Sequence, residues 1–362
     1  MAIFGLYLLS IVCFGLTLRP NKKENTFLDK NFSNSIKTLF IFFIILSHIV
    51  GFYISKYEGV LSNELYLFRN FMGQIIVTPF FFISGFGIFE AYRRKGNDYN
   101  KELFFNHFLK ILLFTTICLV PYLIYDLIVY GPRPFYHYLL CPFGITSLGN
   151  EHWFIFAILF VYLLTFFIGL FVKNNIFIKL ALITVGCIGY IIVCVILGLE
   201  SYFYNTIIAF PLGAIVSIFK NKIMLSLRKV PVAIATLAIS IILYSLFTYL
   251  DWKGLMPDHI DYFLRNVFFV IGLVSFSRLF TAKASILQYF GINSWPLYLL
   301  HMLPILLFRE LIPNHSAFYV TCFFVSLLLT IPFSILFNLI SKKVFIKKLP
   351  AETLEAPNEK TN

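Results

Sequence analysis

The sequence predicts an all-α polytopic transmembrane helix bundle, and three observations carry that prediction. Apolar residues make up 59% of the 362 positions and charged residues only 13%. Mean hydropathy is +0.85, and long windows show no polar face at helical or strand period, as expected of helices bathed in lipid. The basic residues collect in short loops between the apolar runs. A hydrocarbon core of roughly 30 Å takes about 20 residues per helical crossing, so the length has room for about ten crossings with short loops and little left for a soluble domain. The net charge of +12 comes with no basic stripe or RNA-reading motif, so no nucleic acid is expected. Six cysteines are scattered without a CxxC pair and read as small apolar side chains.

The first run, 2–18, lacks a basic leading region and a small-residue cleavage site, and its positive charges follow it. It reads as a retained helix and not as a cleaved signal. Further runs cover 36–54, 66–92, 108–130, 152–172, 176–198, 203–219, 230–250, 262–280, 286–308 and 317–341. Positive charge falls at 19–30, 93–101, 173–179, 220–229, 278–283 and 342–348, whereas the alternate loops, such as "SKYEGVLSNE" and "GLESYFY", are nearly neutral or acidic. That alternation sets the N-terminus outside and the C-terminus inside. The chain divides into an extra N-terminal helix and linker (1–30), a membrane core (31–348) and a polar tail (349–362). The longest outer loop, "GPRPFYHYLLCPFGITSLGNEH", reads either as a re-entrant lid over an external cavity or as a passive connector.

Ionisable groups in hydrocarbon cost several kcal/mol unless they face protein or water, so each one inside a run is a candidate site. His48 lies in "KTLFIFFIILSHIV", about 12 residues and hence roughly 18 Å from the inner end of its helix at ~1.5 Å per residue. A neutral imidazole there is able to accept a proton, as a general base must. The structural alternative is a hydrogen bond that glues helices together. Tyr298 and His301, at i and i+3, share one face of the tenth run, which Asn293 and Ser294 open. Thr78, Ser84 and Glu90 mark the third run. Ser84 stays open between a site role and packing, while Gly85 reads as allowing close helix approach. Glu151, His152 and Trp153 stand at an outer helix end, where the indole either stacks on a sugar or anchors the interface. Arg69 joins them at the outer side as a candidate site residue. No HExxH or similar spacing occurs, so no metal is expected, and neither a GxSxG elbow nor a P-loop is present.

Lys37 precedes His48 by eleven residues; "VTPFFFISGFGI" follows at 77–88, "EHWFIFAILFVYLL" at 151–164 and "GINSWPLYLLH" at 291–301. In this order, over nearly the whole chain, the motifs resemble those of acyltransferase family 3, the polytopic bacterial O-acyltransferases. The family has Arg where Lys37 stands, and often an Arg-x-x-Arg pair where His107 and Lys110 stand in "NHFLKIL"; the first run is an addition to its ten helices. The resemblance implies transfer of an acyl group, usually from acetyl-CoA on the cytoplasmic side, to a hydroxyl of a surface polysaccharide or its glycolipid precursor at a bacterial cytoplasmic membrane. It implies His48 as base, with Tyr298, Ser294 or His301 steadying the oxyanion or orienting the base. It places Lys37, Arg93, Arg94, Lys110 and Ser84 at the coenzyme end. The competing readings are a flippase of lipid-linked sugars, for which no inverted repeat or paired broken helices speak, and a non-catalytic sensor or scaffold.

Overall fold

In lipid each backbone N–H and C=O must pair within its own segment, and a chain this apolar satisfies that rule with helices. The computed structural model describes residues 16–18, 28–56, 69–282, 284–309, 311–312 and 315–345. In chain order come β1 (Leu16–Leu18), α1 (Lys30–Lys56), α2 (Thr78–Lys95), α3 (Lys110–Tyr130), α4 (Trp153–Phe171), α5 (Ile176–Ile196) and α6 (Ala209–Ile218). They are followed by α7 (Val230–Trp252), α8 (Asp258–Leu279), β2 (Phe280–Ala282), α9 (Ser285–Ile292), α10 (Ser294–Phe308) and α11 (His315–Val344). Local chemistry sets several ends. Asp29 accepts a hydrogen bond from the Phe32 amide at 2.7 Å and so starts α1. Pro79 sits in the first turn of α2, where its missing N–H costs nothing, and Gly96, at φ 59°, ends that helix.

Among the described residues seven helical stretches are long and apolar enough to cross a membrane, or eight if the bent pair α9–α10 is one span. The expectation of about eleven is corrected on four points. Residues 2–15 of the first run lie outside the described residues, and its end is no helix: Leu16–Leu18 pairs antiparallel with Phe280–Ala282, Thr17 facing Thr281. Pairing with the strand that leaves α8 satisfies the backbone groups the helix would have bonded. The third and fourth runs fall in one helical stretch, Arg69–Tyr130, whose 62 residues exceed a single crossing and hold a turn at Gly96–Asp98 and a π-helical segment at Phe104–Leu109. The seventh run yields only the ten-residue α6, roughly half a bilayer in length. The tenth is broken at Asn293, with 66° between its halves. The 349–362 tail lies outside the described residues.

The core forms around α1, whose membrane window is 61% buried, against 17% for α7. Peripheral helices instead show Ile128, Ile196 and Ile242 outward, the expected lipid-facing side chains. Helices α2 and α6 pack backbone to backbone. A Cβ on Gly85 would collide with the Phe210 carbonyl, and one on Gly213 with the Phe82 carbonyl, so the small residues allow the approach. Helices α7 and α8 are tied by an ionic cluster: Arg265, fully buried, pairs with Asp261 one turn away and with Asp251 at 3.3 Å.

Candidate active site

Two cavities flank the middle of the bundle, toward opposite ends of α1. The first, about 780 Å³, is lined by His48, Arg69, Glu151, His152, Trp153 and Tyr298, with Asn70, Gln74, Asn150, Tyr202, Asp251, Trp252 and Tyr262 among the other walls. The second, about 1180 Å³, is lined by Lys37, Ser84, Arg94, Lys95, His107 and Ser294, with aromatic walls from Tyr99, Phe154, Tyr162 and Trp295. Eleven residues of α1 separate Lys37 from His48, about 16 Å along the axis.

In the first cavity His48 has an acidic partner, Glu151. Its Nδ1 stands 3.3 Å from Glu151 Oε1, and both side chains are about a quarter exposed, 28% and 25%. A carboxylate accepts, so Nδ1 carries the proton and Nε2 is left as the basic nitrogen. Glu151 is held from both directions. Ahead of it, the Ser147 hydroxyl donates to the Asn150 carbonyl at 2.7 Å, and the Asn150 side chain accepts from the Leu148 amide at 3.1 Å. Behind it, the Tyr298 hydroxyl donates to the Glu151 carbonyl at 3.3 Å. Burial pushes the Glu151 carboxyl above its ordinary range, while His301, His152 and a Trp153 hydrogen bond pull it back. His152 is lowered by burial, and Glu151 opposes that shift.

His301 is fully buried behind His48, with ring centroids 5.0 Å apart. Its Nδ1 donates to the Tyr298 carbonyl, which leaves Nε2 as a buried lone pair without a hydrogen-bond partner among the described residues. The Arg69 guanidinium lies over the bare Cα of Gly51, where a Cβ would stand 3.0 Å from Nε. Gly51 is one turn beyond His48 on the same helix face, so Arg69 overhangs His48. The segment 144–152 therefore walls the cavity with Ser147, Gly149, Asn150, Glu151 and His152 and is no passive connector.

The coenzyme-end residues divide. Lys37, Arg94 and Ser84 face the second cavity, and Ser84 accepts from the Tyr162 hydroxyl at 3.0 Å. Lys95 is paired with Glu102 at 2.6 Å, and the Tyr99 hydroxyl and His107 Nε2 are 3.0 Å apart. Arg93 lies outside both linings, bonded to Glu90 and to the Ser217 carbonyl, each at 2.8 Å. Lys110 also lies outside, over the Phe114 and Phe345 rings at 5.4 and 5.7 Å. Ser294 faces the second cavity and not His48. Sequence reasoning missed the His48–Glu151 pair, since nothing local links two residues on separate segments. It also missed Asp251 and Tyr262 on the first cavity; the i,i+4 spacing of Asp261 and Arg265 inside an apolar run was a usable signal for the cluster behind them.

A family profile described as an acyltransferase domain matches residues 30–339, from the first residue of α1 into α11. The chain belongs to acyltransferase family 3. It is a multi-pass membrane acyltransferase, and the matched residues contain both cavities. Neither the curated proteins nor the solved structures give a match.

Proposed function

We propose that this family 3 acyltransferase moves an acetyl group from acetyl-CoA to a hydroxyl of a surface polysaccharide or its lipid-linked precursor, across a bacterial cytoplasmic membrane. The observation that carries the reading is the placement of a base and its carboxylate in one cavity and free-facing cations in another, at opposite ends of one helix. Lys37 and Arg94 are the groups for the coenzyme phosphates, which charge-assisted hydrogen bonds favour. The positive-inside pattern puts their end of α1 in the cytoplasm, where acyl-CoA is made. In the other cavity, indole and phenol faces from Trp153, Trp252 and Tyr202, with the amides of Asn70, Gln74 and Asn150, suit a polyhydroxylated ring.

His48 Nε2 takes the proton of the acceptor hydroxyl as its oxygen bonds to the thioester carbonyl carbon. Glu151 holds the imidazole and offsets the charge it gains; general-base assistance of this kind contributes ~10²–10⁴-fold. The tetrahedral intermediate collapses with loss of the CoA thiolate, which recovers the proton as free thiol. Tyr298 and His301 orient the pair from behind, through Glu151 and beside His48 respectively. The test is transfer of acyl label from acetyl-CoA to envelope glycan in membranes carrying the chain. His48→Ala, matched for folded protein by size-exclusion profile, abolishes it; undiminished transfer in that variant refutes the mechanism.

A further inference from the structure

Among the described residues none lines both cavities. Between them stands a layer of four rings: Phe80, Phe154 and Trp295 face the Lys37 cavity, and Tyr298 faces the His48 cavity. Phe154 is the hub, with ring centroids 6.1 Å from Phe80, 6.2 Å from Trp295 and 5.2 Å from Tyr298. Trp295 stacks on Tyr298 at 5.9 Å and 26°. Rings at these separations touch, so the four side chains form one packed cluster. On the donor reading above, an acyl group carried on CoA must pass this layer to meet a hydroxyl beside His48.

The rings are not equally fastened. Phe154 is 4% exposed and also packs on Phe81 and Trp153. Tyr298 is 5% exposed and its hydroxyl is bonded to the Glu151 carbonyl. Trp295 is only half-buried, borders the larger cavity, and its Nε1 has no hydrogen-bond partner among the described residues. It also stands two residues past the 66° break between α9 and α10. Turning its indole toward the cavity gives up its ring contacts with Phe154 and Tyr298 but breaks no hydrogen bond, whereas moving Phe154 also costs its packing on Phe81 and Trp153 and moving Tyr298 costs a hydrogen bond.

We propose that Trp295 is the door between the donor and acceptor cavities and that its indole sets the length of the acyl group transferred. A turned indole vacates space for a few heavy atoms, enough for a thioester carbonyl and a methyl. Each further methylene must displace Phe154 or Tyr298. The acetyl group is thus selected by the wall and not by the coenzyme contacts, which are the same for every acyl-CoA.

The test uses the full chain in membranes of its cell of origin, which hold the natural acceptor. Acyl-labelled acetyl-, butyryl- and hexanoyl-CoA are compared for His48-dependent transfer in the wild type, Trp295→Phe and Trp295→Leu; the last two keep an apolar side chain in the wall. The wild type is expected to favour acetyl strongly, and Trp295→Leu to raise the hexanoyl-to-acetyl ratio ~10-fold or more, with Trp295→Phe between. An unchanged ratio, or a wild type that moves hexanoyl as fast as acetyl, overturns length selection. A second measurement needs no catalysis. Ser47→Cys places a thiol in the His48 cavity, and a charged thiol reagent is supplied to sealed vesicles from the Lys37 side. Faster modification in the Trp295→Leu background supports the door, and an unchanged rate overturns it. If the wild type shows no His48-dependent transfer from any acyl-CoA while modification is accelerated, the donor reading fails and the door stands.

Discussion

Replacing Glu151 by Gln keeps the size of the side chain and removes the charge that faces His48. With Glu151 ionised and His48 protonated in the transition state, opposite unit charges 3.3 Å apart attract by about 5 kcal/mol at an effective dielectric of about 20. Both side chains are about a quarter exposed, 28% and 25%, in an open cavity, and water reduces this to ~2–3 kcal/mol. At about 1.4 kcal/mol per decade, kcat is expected to fall ~10²-fold in Glu151→Gln, with little change in KM for acetyl-CoA. Initial rates of acyl-label transfer measure it. The pH profile supplies a second reading. Burial holds the Glu151 carboxyl above the ordinary carboxylate range, so the wild type loses the charge, and with it rate, as pH falls through a point higher than for an exposed glutamate. Gln does not titrate, so Glu151→Gln lacks that limb. A Glu151→Gln enzyme within about threefold of wild type at neutral pH refutes the pairing argument.

Lys37→Ala raises the KM for acetyl-CoA ~10-fold with kcat largely kept, and Lys37→Arg restores it; a fall in kcat alone would remove Lys37 from the donor cavity. Gly85→Ala forces α2 away from the Phe210 carbonyl and costs ~1–3 kcal/mol, read as a lower Tm in detergent; an unchanged Tm would mean the two helices part freely. Arg265→Met leaves Asp261 and Asp251 without their cation and destabilises by ~3–5 kcal/mol, with Asp261→Asn restoring part of the loss. No rescue in that double variant would show that the cluster is not paired as described.

Helical class and most of the runs were legible because they depend on composition and length, which a bilayer reads directly. The shared face of Tyr298 and His301 was legible for the same reason, being a spacing along a single helix. What was not legible is long-range. Glu151 belongs to a turn whose position depends on the Ser147–Asn150 bonds and on Tyr298 from α10, and no local period encodes that. Arg93 and Lys110 look like coenzyme ligands by charge alone, yet Glu90 engages one and two phenyl rings underlie the other. The turn at Gly96 and the break at Asn293 also escape a hydropathy window, which averages across them.

A bilayer insulates with roughly 30 Å of hydrocarbon, and a protein hollowed from both ends of its central helix gives most of that thickness away. Here Phe80, Phe154, Trp295 and Tyr298 form a contiguous layer of rings between the two recesses. A unit charge driven through such a layer by the membrane potential carries about 2.3 kcal/mol per 100 mV. Apolar aromatic surfaces serve such a seal well, because an ion has nothing there to replace its hydration. The four side chains between the two cavities thus also bear on how well the membrane holds its ions.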